Sequence, residues 1–166
     1  MKKLLFLTFL LFAGFNSLQA QSIKLPEDCR KILNSKFREW TFAQIPADIK
    51  KYYLRERAFE QPHLITGDWN GDGKRDYAVL LERKNKSAAD ANLIVAFLKR
   101  GNGYGYFSLE GSDCLMSVKK GSKAFDFEKQ KSFRYRTDGI FSYIWEKAGV
   151  TYVWENKAFR AIATSD

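Results

Sequence analysis

The nine residues 68–76 carry an alternating series of oxygen-bearing side chains, and this pattern constrains the local fold more than any other feature of the sequence. Asp68, Asn70, Asp72 and Asp76 occupy positions 1, 3, 5 and 9 of the segment. Alternate side chains of a tightly coiled loop can point toward one centre, where three negative charges repel one another unless a cation lies among them. The pattern therefore predicts a coiled loop that surrounds a metal ion.

The ligand chemistry of this loop favours Ca²⁺. Ca²⁺ binds six to eight oxygen atoms, whereas transition metals prefer nitrogen or sulfur, and the loop contains neither histidine nor cysteine. Mg²⁺ is the weaker candidate because it requires near-ideal octahedral geometry and loses water reluctantly. Gly73 is expected where the chain turns sharply and a Cβ atom would obstruct it. The predicted metal ligands are Asp68, Asn70, Asp72, Lys74 through its backbone carbonyl, and Asp76.

The residue at position 12 distinguishes this loop from an EF-hand. An EF-hand carries a bidentate glutamate at position 12, where this sequence has Val79 inside an apolar run. The pattern D-x-N-x-D-G-x-x-D leading into a strand instead resembles the calcium loops of FG-GAP repeats in integrin-α-like propellers and of bacterial VCBS-type repeats. The resemblance covers 67–81 and implies that the ion joins neighbouring strands, here expected at 64–66 and 77–82. A propeller needs several blades, and this chain contains the loop once.

Two further considerations bear on the loop. Three segments resemble those of small exported bacterial proteins that hold one such loop in a compact domain: Asp138-Gly139-Ile140, the Glu146-Lys147-Ala148 turn and the ending with Trp154 and Phe159-Arg160. The alternative is a plain polar hairpin, because Asn70-Gly71 and Asp72-Gly73 are also common turn pairs. An ion held by one loop is typical of a structural site rather than a catalytic one.

The amino terminus has the pattern of a secretory signal peptide. Lys2-Lys3 precedes an apolar run over 4–15, and Leu18-Gln19-Ala20 forms a cleavage site that ends in a small residue. The sequence therefore predicts a signal peptide over 1–20, followed by one domain over 21–166. A periplasmic or secreted location follows from this interpretation.

The two cysteines allow two arrangements in an exported chain. A disulfide between Cys29 and Cys114 would close a loop of about 85 residues and stabilise the fold by roughly 4 kcal/mol. Two separately buried thiols are equally compatible with the sequence, because free cysteine packs like a small apolar residue.

The order of the expected elements indicates an α+β fold. Helices are predicted over 26–36 and from Pro46-Ala47-Asp48 to a point before Gln61-Pro62. Strands are expected at 64–66, 77–82, 93–98, 104–109, 115–118, 132–136, 140–145, 150–154 and 158–163. Strands without intervening helices favour antiparallel pairing, so the amino-terminal helices are expected to pack on a mainly antiparallel β-meander.

Charge and composition leave the partner open. The chain has 28 Lys and Arg against 19 Asp and Glu, a net charge of +9. The basic residues are scattered, which favours a solvated surface, although an anionic envelope polymer or a protein remains a candidate partner. Export argues against nucleic acid as a partner.

These patterns favour a binding or envelope-associated module without catalysis. His63 is the only histidine, and its place after Pro62 is more typical of a loop than of a catalytic pair. The first alternative is a hydrolase of an envelope polymer, whose acid and base would come from Glu82, Asp113, Asp126 and Glu128. The second is an inhibitor or protein-interaction module that uses the aromatic residues Trp145, Tyr152 and Trp154.

Overall fold

A computed structural model describes residues 23–56, 61–82 and 92–165, and the fold is α+β as predicted. The predicted signal peptide and its cleavage site lie outside the described residues. The helices are α1 (Glu27–Lys36) and α2 (Ala47–Glu56). The strands within the described ranges are β1 (Leu64–Gly67), β2 (Asp76–Leu81), β3 (Leu93–Arg100), β4 (Gly103–Glu110), β5 (Cys114–Val118), β6 (Lys123–Asp126), β7 (Lys131–Arg134), β8 (Gly139–Ile144), β9 (Ala148–Glu155) and β10 (Ala158–Ser165).

The strands form three antiparallel sheets. The first is a four-stranded meander in the order β1-β2-β3-β4, and the second has the order β10-β9-β8-β5. The β6–β7 hairpin forms the third sheet and is inserted between β5 and β8, which therefore pair across it. The antiparallel prediction is confirmed, and the meander is divided between two larger sheets. Strand β6 was not predicted, because its four residues include only one buried side chain, Asp126.

The first sheet is the middle layer of the molecule. All six residues of β2 are buried, and the odd and even positions face opposite sides as they do in any strand. Val79 and Leu81 pack on one side with residues of α1 such as Leu33. Ala78 and Leu80 pack on the other side with α2 and the second sheet. A continuous apolar run is therefore required in β2, because neither face contacts water.

Helix α1 begins and ends close to the predicted residues. Pro26 stands at its N-cap position, and the carboxylates of Glu27 and Asp28 lie in its first turn, where they interact favourably with the helix dipole. Cys29 and Leu33, four residues apart, form its buried face. Within the described residues, neither helix has the length and apolar composition needed to cross a membrane.

The two cysteines are separate free thiols in the structure, which is the second of the two arrangements that the sequence allows. Cys29 packs between α1 and the first sheet, whereas Cys114 lies in the core on the other side of that sheet. Burial raises the pKa of Cys29 to about 12, with a further contribution from the nearby Asp28 carboxylate. Burial likewise raises the pKa of Cys114 to about 11. Both thiols are therefore protonated at neutral pH and pack as apolar groups.

Candidate metal centre

The 68–75 loop connects β1 to β2, and the Gly67–Asp76 pair closes it. The two strands that the sequence analysis expected the ion to join are thus antiparallel neighbours. Gly71 and Gly73 have φ angles of 75° and 78°, a conformation that glycine adopts without strain. The steric reason given for Gly73 is wrong, because a Cβ atom there would have no neighbour within 4 Å. Glycine is favoured at this position by its backbone angle alone.

Trp69, at the second position of the loop, anchors the loop to the core. Its side chain is fully buried among Ile65, Leu80 and other residues of the larger hydrophobic cluster. The indole ring lies directly over Gly67, where a Cβ atom would come within 2.2 Å of the Trp69 Cζ3 atom. This role of Trp69 was not predicted from the sequence. A tryptophan inside an otherwise polar loop was the available indication.

Asp76 is a fully buried carboxylate at the other end of the loop. Its Oδ2 accepts a hydrogen bond from the Trp69 amide at 2.9 Å, and its Oδ1 accepts one from the Lys99 amide at 2.8 Å. Burial raises the pKa of Asp76 to about 6; the two amides oppose this shift, and the charges of Asp72 and Asp68 add to it. Asp76 therefore holds a costly negative charge that a nearby cation would stabilise.

The other predicted ligands accept hydrogen bonds from backbone amides within the loop. Asp68 Oδ2 accepts from Gly73 N at 2.9 Å, and Asn70 Oδ1 accepts from Asp72 N at 3.1 Å. Asp72 Oδ1 accepts from Lys74 N at 2.9 Å, and the Lys74 ammonium lies 3.7 Å from Asp72 Oδ2. The remaining oxygen of Asp68, Oδ1, is buried and has no hydrogen-bond partner in the described part of the chain. The Trp69 Nε1 donor is likewise buried without a partner among the described residues, but only the Asp68 oxygen could bind a cation.

The structure does not gather the loop carboxylates into a ready-made metal-binding cluster. In residues 23–56, 61–82 and 92–165, no group of three or more His, Cys, Asp or Glu side chains is arranged to hold a metal ion. Asp68 and Asp72 nevertheless lie near enough to Asp76 for their charges to raise its pKa. Every side-chain donor at the predicted positions is an oxygen, and each hydrogen-bonded oxygen retains a second lone pair. The donor set fits Ca²⁺ by its chemistry, while the ligand assignment stays a prediction.

Asp138 clamps the base of the loop to the second sheet. Its Oδ2 accepts from Asp68 N at 3.2 Å and from the Lys119 ammonium at 3.1 Å, and its Oδ1 accepts from Lys120 N at 3.0 Å. Its own amide donates to Asp68 O at 3.2 Å. Burial alone would raise the pKa of Asp138, but these hydrogen bonds and the Lys119 charge hold it below its ordinary value. Asp138 thus stays ionised and fixes the position of Asp68.

The carboxylates considered for a hydrolase have different contacts. Asp113 Oδ2 accepts from Trp145 N at 2.9 Å, and the buried Asp126 Oδ1 accepts from Lys129 N at 2.9 Å. Glu82 is exposed at the end of β2, and Glu128 is exposed in the turn after β6. The backbone contacts of Asp113 and Asp126 are typical of carboxylates that stabilise turns.

The aromatic residues considered for an interaction surface pack against other rings. Trp154 contacts Phe107 and Phe159, each with a centroid separation of 5.1 Å. Trp145 contacts Tyr52 at 5.3 Å. The Tyr152 hydroxyl donates to the Glu110 carbonyl at 2.8 Å. Each of these residues therefore contributes to cross-strand or interlayer packing.

His63 is half-buried beside the ring of Phe42, with a centroid separation of 4.7 Å. Burial lowers its pKa below 6.5, and the charge of Lys50 adds to this shift. The folded state therefore binds a proton less readily than the unfolded state. The contribution of the neutral His63 ring to the stability of the folded protein is fully present above pH 6.5. It is lost as the pH falls through the lower pKa of the folded state.

We expect an NMR titration of the His63 ring to give a pKa below 6.5, and this only histidine can be assigned directly. The raised pKa of Asp76 has the opposite effect on stability as the pH falls. The His63 contribution is therefore the difference in urea stability between the wild-type protein and His63→Gln, and it should decline as the pH falls from 6.5 through the His63 pKa. A measured pKa at or above 6.5 would show that the ring is not desolvated in the folded protein.

Comparison with protein families, curated proteins and solved structures finds no match to this chain. The functional interpretation therefore depends on the residues of the loop. Three features of the loop bear on it: a shielded acceptor on Asp68, a buried charge on Asp76 and a clamp from Asp138.

Proposed function

We propose that this chain is a small exported domain that binds one structural Ca²⁺ in the 68–76 loop and acts as a binding or envelope-associated module without catalysis. The observation that carries the proposal is the Asp68 Oδ1 atom, which is shielded from water and has no hydrogen-bond partner in the described part of the chain. A buried acceptor in this state lowers stability unless a partner is supplied. A bound cation would supply that partner.

The proposed ligands would use oxygen lone pairs that the loop amides leave available. Asp68, Asn70, Asp72 and Asp76 would bind through side-chain oxygens, and Lys74 would bind through its backbone carbonyl. The ion would offset the repulsion among three carboxylates, including the buried charge of Asp76. Because Asp68 follows β1 and Asp76 begins β2, the ion would fix the connection between these strands. This role is structural.

A modest affinity is sufficient for an exported protein. Extracellular modules bind Ca²⁺ with dissociation constants of about 10⁻⁴ to 10⁻³ M, a range suited to millimolar surroundings. At ten times the dissociation constant, an ion that binds only the folded state stabilises it by about 1.4 kcal/mol. The melting temperature should therefore fall when a chelator is added. Export itself is supported by the signal-peptide pattern of residues 1–20.

Calorimetric titration of the chain over 21–166 with CaCl₂ tests the proposal. We expect one ion per chain, a dissociation constant of about 10⁻³ M or lower, and weaker binding of MgCl₂. Asp72→Asn removes one ligand charge and should weaken Ca²⁺ binding by about tenfold or more.

Asp48→Asn is the matched control for this titration, because Asp48 is an exposed carboxylate in the first turn of α2. It removes the same charge and should leave the affinity unchanged. Absence of calcium binding at 10 mM CaCl₂, roughly ten times the weakest expected dissociation constant, would contradict the proposal. Equal affinities for the Asp72→Asn and wild-type proteins would also contradict it.

A further inference from the structure

A basic groove with a volume of about 690 Å³ lies among β7, the β9–β10 hairpin and the turn after β6. Its lining contains five cationic side chains, which are Lys129, Lys131, Arg134, Arg136 and Arg160. It also contains two carboxylates, Asp126 and Glu155. The lining therefore has a formal excess of three positive charges, and none of the proposed calcium ligands belongs to it.

Both carboxylates of the groove already have partners. Glu155 forms a bidentate pair with Arg160, in which the Arg160 Nε and Nη2 atoms donate to Oε2 at 2.8 Å and to Oε1 at 3.0 Å. Asp126 is buried and accepts from the Lys129 amide at 2.9 Å. The Arg160–Glu155 pair is locally neutral, so the excess positive charge belongs to the other cationic side chains.

Those other cations are available to a ligand. Lys129, Lys131 and Arg136 are exposed, and within the described ranges none of them forms a salt bridge. The Arg134 guanidinium donates to the Gly121 carbonyl at 2.6 Å, a neutral acceptor that leaves its charge uncompensated. A concave surface with an excess of one sign of charge attracts groups of the opposite charge.

We propose that this groove binds an anionic polysaccharide. The cations outside the Arg160–Glu155 pair come from successive segments, namely the turn after β6, strand β7 and residue 136, so they suit a chain that presents negative groups at intervals. A protein partner is disfavoured because stable protein interfaces have an apolar centre, whereas most of this lining is charged or polar. The groove requires no calcium ligand, so the inference goes beyond the proposed calcium site.

Binding to dextran sulfate, with neutral dextran as the polymer control, tests this inference. The chain over 21–166 would be titrated at about 0.15 M salt in EGTA, so that the result does not depend on calcium. Lys131→Gln/Arg136→Gln should weaken binding of dextran sulfate by about fivefold or more. Lys24→Gln/Lys36→Gln removes the same net charge from exposed positions around α1 and should weaken it by less than about twofold.

Equal losses in the two double variants would overturn the inference, because net charge alone would then explain binding. Binding of neutral dextran as strong as that of dextran sulfate would also overturn it. Vesicles containing phosphatidylglycerol give a further test. The inference would be overturned if the wild-type protein bound these vesicles and the groove variant kept its full affinity for dextran sulfate. If circular dichroism shows that Lys131→Gln/Arg136→Gln does not fold, Lys129→Gln/Arg136→Gln makes the same test.

The calcium proposal and this inference can fail separately. If the protein does not bind calcium but the groove variant still loses affinity for dextran sulfate, only the calcium proposal is removed.

Discussion

Replacing Trp69 with alanine will lower the free energy of unfolding by about 3–5 kcal/mol, as is typical when a fully buried tryptophan is truncated. The ring fills core space on the side of the first sheet where α2 and the second sheet pack. Its removal leaves a cavity and detaches the second position of the loop from the core. Urea denaturation monitored by circular dichroism would measure the loss.

Trp145→Ala provides the matched control, because Trp145 is only half-buried and lies far from the loop in sequence. Trp145→Ala should lower the free energy of unfolding by less than Trp69→Ala does. The Trp69 amide donates to Asp76, so a loosened loop should also bind Ca²⁺ more weakly. A cost below about 1 kcal/mol for Trp69→Ala would show that the loop does not depend on this contact.

Replacing Asp76 with alanine will abolish the calcium-dependent rise in melting temperature and will also destabilise the protein in EGTA. The substitution leaves the buried Trp69 amide and the partly buried Lys99 amide without an acceptor, at a combined cost of about 3 kcal/mol. Asp76→Asn keeps an acceptor and removes the buried charge, so it should lose the calcium response with a smaller loss of stability in EGTA. Differential scanning calorimetry with Ca²⁺ and with EGTA would separate the two effects.

Asp113→Asn is the control for Asp76, because Asp113 also accepts a backbone amide but lies outside the loop. It should keep the full response to calcium. A calcium-dependent rise that persists in Asp76→Asn would remove Asp76 from the ligand set.

The sequence was sufficient for the elements whose periodicity is local. Helix α1 is an example, because its apolar spacing and its acidic first turn both lie within a segment of ten residues. The same holds for β2, where the strand begins directly after the polar loop. Strand β6 was missed because Lys123–Asp126 combines exposed and half-buried positions and has no clear apolar alternation.

The contacts that hold the candidate site were beyond prediction because they join distant segments. Asp138 lies 70 residues from Asp68, and no local pattern links the two. The pairing of β5 with β8 could not be predicted for the same reason, because the β6–β7 hairpin separates the two strands in the sequence. Whether Asp76 faces solvent or the core is likewise decided by packing, and its pKa follows from that burial.

The short segment from Tyr135 to Asp138 borders both proposed sites. Tyr135, Arg136 and Thr137 line the groove, and the next residue, Asp138, holds the amide of Asp68. Thr137 also packs on the loop, where a Cβ atom at Gly71 would lie 2.9 Å from its Cγ2 atom. If this segment shifts when either ligand binds, the two affinities must be thermodynamically linked. Linkage is reciprocal, so any factor by which calcium changes the affinity for the polyanion is the factor by which the polyanion changes the affinity for calcium.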